Sequence, residues 1–169
     1  MRCGLSAAGD LGRLEYDRRL FFFSLAAARR APRDAERYLN LAQNRFDGPL
    51  PPALGRLGRL EALHLDHNGF AGALPGALGD LGRLELWNAS HCRFDGVLPV
   101  RLGAMTRLKA LFLGHNALEG TLDALAPLGS PTGALVELYA NDNRLDVSEP
   151  PASLRGLNVL FVVRNAPPD

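Results

Sequence analysis

Apolar residues recur in this chain two apart in short runs, and the whole pattern of runs and polar breaks repeats every 24 residues. Set on Leu60-Glu61-Ala62-Leu63-His64-Leu65-Asp66-His67-Asn68-Gly69-Phe70, the repeat reads L-x-x-L-x-L-x-x-N-x-F-x-G-x-L-P-x-x-L-G-x-L. The asparagine column runs through Asn44, Asn68, Cys92, Asn116, Asn143 and Asn165, with spacings of 24, 24, 24, 27 and 22. A fixed period of this length predicts a solenoid, because each unit buries its apolar face only by stacking on its neighbours. The long spacing places an insertion near Gly129-Ser130-Pro131-Thr132, so the fifth copy is expected to bulge.

Each column has a physical role. Leu63 and Leu65, with Leu39/Leu41, Leu111/Leu113 and Leu160/Val162, lie two apart on a short strand and point into the core. Trp87 and Ala89 make a large-plus-small exchange in the third copy that roughly conserves volume. The asparagine is expected to turn inward, where its amide satisfies backbone groups of the bend that leaves the strand. Phe46, Phe70, Phe94, Leu118 and Leu145 fill the next interior position, and Gly48, Gly72, Gly96 and Gly120 follow where the chain turns. Pro51, Pro75 and Pro99 predict an extended outer segment.

The outer half of the repeat, Leu50-Pro51-Pro52-Ala53-Leu54-Gly55-Arg56-Leu57 and Leu74-Pro75-Gly76-Ala77-Leu78-Gly79-Asp80-Leu81, resembles that of plant-type leucine-rich repeat proteins. These include receptor-like proteins, receptor-like kinase ectodomains and polygalacturonase-inhibiting proteins. Three copies, starting at Leu39, Leu63 and Trp87, carry the segment in full or nearly so; the fourth has Asp123 in place of proline. The resemblance covers roughly residues 36 to 166. It implies an α/β-type solenoid: a right-handed leucine-rich repeat superhelix of about six repeats with a parallel concave β-sheet. The activity it implies is ligand perception or inhibition of a foreign enzyme, at an extracellular or membrane-associated site.

Composition narrows the partners. A net charge of +1 across 169 residues argues against a nucleic-acid interface, which needs a clustered basic surplus. The exposed Arg59, Arg83 and Arg107 column reads as a solvated face. Two cysteines, Cys3 and Cys92, cannot build paired disulfide caps. Residues 1–35 form a separate N-terminal segment before the array at 36–169. An amphipathic helix from Asp10 to Arg30, with Leu11, Leu14, Phe21, Leu25 and Ala28 on one face, is expected to cap the core, which favours a cytoplasmic site and, as the rival function, an intracellular scaffold or regulatory subunit. The alternative is a signal-like segment, Arg18-Arg19 followed by Leu20-Phe21-Phe22-Phe23-Ser24-Leu25-Ala26-Ala27-Ala28. That apolar run is too short for a membrane span. At the other end Ala166-Pro167-Pro168-Asp169 offers no polar cap, which points to a fragment of a longer array or to association through the last repeat.

Function in such an array is expected on the residues that alternate with the buried ones and emerge on the concave face. One column there is Asn40, His64, Asn88, Phe112, Tyr139 and Phe161. Six parallel strands about 4.8 Å apart span roughly 25 Å, the reach of about seven extended residues, so a peptide or protein loop is the expected ligand. A second column is Gln43, His67, His91, His115, Asp142 and Arg164, with Asp66 and Ser90 beside it. The plain reading of the three histidines is exposed side chains with no shared role; the alternatives are coupled titration that makes the surface pH-responsive, and a shared metal, though a straight column does not converge tetrahedrally. Neither a cofactor nor a resident metal is expected. Ser90 with His67, His91 and Asp66 is the nearest approach to a nucleophile cluster, but an open sheet gives it no oxyanion site, so the chain reads as non-enzymatic. Asn88-Ala89-Ser90 is an N-glycosylation sequon, and a glycan there would obstruct the concave face.

Overall fold

The computed structural model describes residues 37–166, so the predicted N-terminal helix, the signal-like alternative, Cys3 and the final prolines lie outside the described residues. Each repeat begins with a three-residue strand: β1 (Tyr38–Asn40), β3 (Ala62–His64), β5 (Leu86–Asn88), β7 (Ala110–Phe112), β9 (Glu137–Tyr139) and β11 (Val159–Phe161). These pair in parallel in that order as the concave sheet, with Leu39, Leu63, Trp87, Leu111, Leu138 and Leu160 in one register. The leucine two residues on closes the same core from the end of the strand, Leu65 and Leu113 both being fully buried. Trp87 and Ala89 are buried at 1% and 0% exposure, which accommodates the larger ring; the indole N–H has no hydrogen-bond partner among the described residues.

A second parallel sheet, which the periodicity did not predict, lies beyond the asparagine turn. It contains β2 (Asp47–Gly48), β4 (Gly69–Ala73), β6 (Arg93–Val97), β8 (Ala117–Thr121) and β10 (Arg144–Asp146). The phenylalanine column forms its inner spine: Phe46 stacks on Phe70 at 5.8 Å and Phe70 on Phe94 at 6.3 Å, with Leu118 and Leu145 continuing it. The glycine that follows turns the chain at φ of 75°, 81°, 68° and 75° for Gly48, Gly72, Gly96 and Gly120, a region that disfavours other side chains.

The outer segment differs from expectation. Pro51, Pro75 and Pro99 are themselves extended, but each opens a 3-10 turn: Pro52–Arg56, Gly76–Asp80 and Val100–Ala104. Proline fits the position ahead of the first turn, where its missing N–H breaks no bond. The turn then buries Leu54, Leu78 or Leu102. Five residues close only i→i+3 bonds, such as Leu57 N–H to the Leu54 carbonyl at 3.1 Å, so the helical half of the solenoid is 3-10 rather than α among the described residues. The insertion lies where the spacing put it. The fourth outer turn lengthens to Asp123–Gly129, and a further turn closes with Gly133 N–H donating to the Ser130 carbonyl at 2.8 Å.

The asparagine column behaves as expected. Asn68 Nδ2 donates to the carbonyls of Leu65 and, in the previous repeat, Leu41, both at 2.8 Å, while its Oδ1 accepts from Phe46 N–H at 3.1 Å. Asn116, Asn143 and Asn165 repeat this pattern; Asn44 bonds Leu41 and Ala42 in its own turn. Cys92 replaces the amide with a thiol that donates to the Leu65 carbonyl at 3.4 Å, and burial pushes its pKa up. An amide there would reach Leu65, Ala89 and Ser90 by repeat equivalence. Cys92→Asn is therefore expected to raise stability by about 1 kcal/mol, read as a higher urea midpoint with unchanged slope.

Candidate functional site

Strand pairing sets the first column. Asn40, His64, Asn88, Phe112, Tyr139 and Phe161 occupy one register position across the six strands, next to the buried leucine column and facing the opposite way. The column divides into two chemistries. Asn40, His64 and Asn88 carry polar heads, and Asn88 Oδ1 accepts from the Ser90 hydroxyl at 2.7 Å and the Ser90 N–H at 3.1 Å. Phe112, Tyr139 and Phe161 form a contiguous aromatic strip: the first two stack at 4.9 Å with 13° between planes, and Phe161 tilts on Tyr139 at 6.1 Å. Phe161 remains 42% exposed. Phe112 and Tyr139 are half-buried because each covers its neighbour, and the strip still presents ring faces and edges to solvent.

The second column is not on the strand. The strands end at Asn40, His64, Asn88 and Phe112, and Gln43, His67, His91, His115, Asp142 and Arg164 all lie in the turn beyond, each left-handed with φ between 51° and 58°. The backbone ladder nevertheless continues through them, with His67 N–H donating to Ser90 at 3.1 Å and His91 N–H to Gly114 at 3.0 Å. Histidine tolerates this backbone better than most residues do. The turn also aligns the rings. His67 stacks on His91 at 4.3 Å and His91 on His115 at 4.0 Å, with planes 9° and 16° apart. Face-to-face imidazoles do not point their nitrogens at a common ion, and among the described residues no group of three or more His, Cys, Asp or Glu is arranged to hold a metal.

Asp66 departs from its expected position on the ligand-facing surface. It is 9% exposed, and His64 Nδ1 lies 4.0 Å from its Oδ1. At the other end of the ridge, Asp142 sits 3.5 Å from His115 Nε2 and 3.7 Å from Arg164. Asn141 donates to it, and this bond, with His115 and Arg164, holds its carboxyl below the usual carboxylate range. Asn141, an outward position in the sequence pattern but not one of the candidate binding residues, completes this corner. Its only signal was its column, shared with Asp66 and Ser90. At the strand entrance, pairs between successive repeats, Arg37 with Glu61 at 3.5 Å and Lys109 with Glu85 at 2.7 Å, leave no single-sign field along that edge.

The Leucine Rich Repeat family matches at residues 37–57 and 59–81. Among solved structures, the ectodomain of the receptor kinase SOBIR1 from Arabidopsis thaliana superposes with a TM-score of 0.67 at 25% identity, over 76% of this chain and 68% of that one. A TDR receptor gives 0.65 at 29% identity, covering 75% of this chain. The Arabidopsis receptor kinase HAESA, in complex with the peptide hormone IDA and the co-receptor SERK1, gives 0.65 at 25% identity, covering 74%. The chain carries leucine-rich repeats and has the fold of plant receptor-kinase leucine-rich repeat ectodomains. This repeat protein spans 21% of the TDR and HAESA chains, a short array beside theirs. No curated protein sequence matches it significantly. No helix among its described residues is long and apolar enough to cross a membrane.

Proposed function

We propose that this array is a non-catalytic recognition module that takes an extended peptide, or an extended loop of a protein, across its concave sheet. The observation that carries the reading is the part-exposed aromatic strip of Phe112, Tyr139 and Phe161, in register with the polar Asn40, His64 and Asn88. Rigid aromatic rings on a pre-formed sheet give contact area at small entropic cost, while amide and imidazole groups pair with peptide N–H and C=O. The receptor-kinase neighbours support the reading, since HAESA is described in complex with a peptide hormone and RGFR1 with RGF2. His67, His91 and His115 line the rim of the same face, and Asp66 acts on it through His64. A ligand chain running across the strands meets one repeat about every 4.8 Å.

The test is selection of random heptapeptides on the immobilised chain at neutral pH, followed by affinity measurements on variants. Tyr139→Ala and Phe161→Ala are each expected to weaken the selected peptides about tenfold to a hundredfold, the range of an aromatic hot spot. Val97→Ala, on the second sheet, is expected to leave affinity unchanged. Peptides that keep full affinity for both concave variants would refute the assignment.

A further inference from the structure

The histidine ridge and the defect in the asparagine ladder fall on the same turn. The ring of His91 lies between those of His67 and His115, at 4.3 and 4.0 Å. Each ring projects from a left-handed turn whose next residue is the ladder position: Asn68, Cys92 and Asn116. The outer turns are tied by amides. Asn68 and Asn116 each donate to three carbonyls and accept one N–H from the preceding repeat. A thiol offers one weak donor instead, so the His91–Cys92 turn has the weakest side-chain anchorage of the three.

Charge is distributed unevenly along the ridge. The titratable groups facing it are His64 and Asp66 at one end, Asp142 and Arg164 at the other. Asp142 lies 3.5 Å from His115, and no carboxylate pairs with His91 among the described residues. Rings at these separations cannot all take protons without strong mutual repulsion, and His91 receives it from both sides.

We propose that the stacked imidazoles are a proton-sensitive latch for the His91–Cys92 turn: closed while the rings are neutral, released on acidification as charged rings separate and the thiol fails to hold the turn. Slight desolvation of the otherwise exposed His91 ring, then the charges of His115 and His67, lower its pKa, with Asp66 and Asp142 opposing. A histidine whose folded pKa is depressed favours the folded state above its unfolded value near 6.5, and that stabilisation is lost as pH falls through the folded pKa. The latch is therefore closed at neutral pH and opens on the acidic side of the ordinary histidine range. Because the ridge forms the rim of the concave face, opening lowers ligand affinity there; that consequence rests on the recognition reading, whereas the opening itself does not.

Amide hydrogen exchange of the full chain without ligand, at about pH 7.5 and about pH 5 with intrinsic rates corrected, tests the latch. The reporter is the His91 amide, bonded to Gly114; the references are Ala89, bonded to Phe112, and Leu113, bonded to Tyr139. Protection at His91 is expected to fall about tenfold relative to both references at the lower pH. His91→Asn, which tolerates the left-handed backbone and takes up no proton between these pH values, is expected to abolish the change. Cys92→Asn is expected to suppress it while the histidine ring resonances still titrate. A loss of protection equal at all three amides, or one that survives in His91→Asn, overturns the proposal. Since no ligand is present, that failure leaves the recognition reading to its own test.

Discussion

Gly79→Ala is expected to destabilise the array by about 3 kcal/mol or more, whereas Gly82→Ala, three residues along the same chain, is expected to be neutral or stabilising by about 0.5 kcal/mol. A Cβ on Gly79 would overlap the Arg101 carbonyl oxygen of the next outer turn and come within 2.7 Å of its carbon. Backbone cannot rotate aside as a side chain can, so the two turns must separate and open the leucine core between them. Gly82 has nothing within 4 Å of a new Cβ and no left-handed φ, so alanine there only narrows the unfolded ensemble. Gly55 meets the Ala77 carbonyl in the same way, and Gly103 has the Ala124 oxygen at 3.0 Å. The glycine of the L-P-x-x-L-G segment is thus a stacking requirement, set by the approach of successive 3-10 turns. Urea unfolding of the two variants side by side checks it. A Gly79→Ala midpoint equal to that of Gly82→Ala would show that the turns have room to spare.

Asn143→Ala is expected to lose a similar amount, about 3 kcal/mol, and much more than Asn44→Ala at about 1 kcal/mol. Asn143 is 6% exposed, donates to Leu113, Ala140 and Asn141, and accepts from the N–H of fully buried Leu118 at 3.0 Å. Truncation leaves that N–H without its acceptor inside the core, where an unmade hydrogen bond is most costly. Among the described residues Asn44 bonds two carbonyls of its own half-buried turn. Thermal or urea unfolding of the pair tests the ranking, and equal losses would mean that burial does not set the strength of the ladder.

The parts of this fold legible in the sequence are those that repeat with a distinctive residue type. Leucine two apart, asparagine, phenylalanine and turn glycine each have one physical reason for their column; the strand leucines share one register, whereas in the second sheet each turn glycine pairs with the interior residue of the next repeat, as Gly48 does with Phe70. The parts misread are those where one residue type serves two geometries. Proline fits both an extended strip and the position opening a 3-10 turn, and the turn forms because Leu54, Leu78 and Leu102 must reach the core. His67 and His91 lie three residues past the strand ends at His64 and Asn88, and the left-handed φ that takes them off the strand leaves no signature in a side chain that also suits strands. Asp66 read as surface because it alternates with the buried Leu63 and Leu65, yet it is buried past the end of the strand. The aromatic strip of Phe112, Tyr139 and Phe161 was legible as a register, while its stacking geometry came only from the structure.

The most direct measurement is a backbone amide chemical-shift map of the chain titrated with a selected heptapeptide at neutral pH. The account predicts that the largest shifts fall on β5, β7, β9 and β11, with Asn88, Phe112, Tyr139 and Phe161 foremost and the second sheet unmoved. Shifts concentrated on β4, β6 and β8, with the concave strands unchanged, would contradict it.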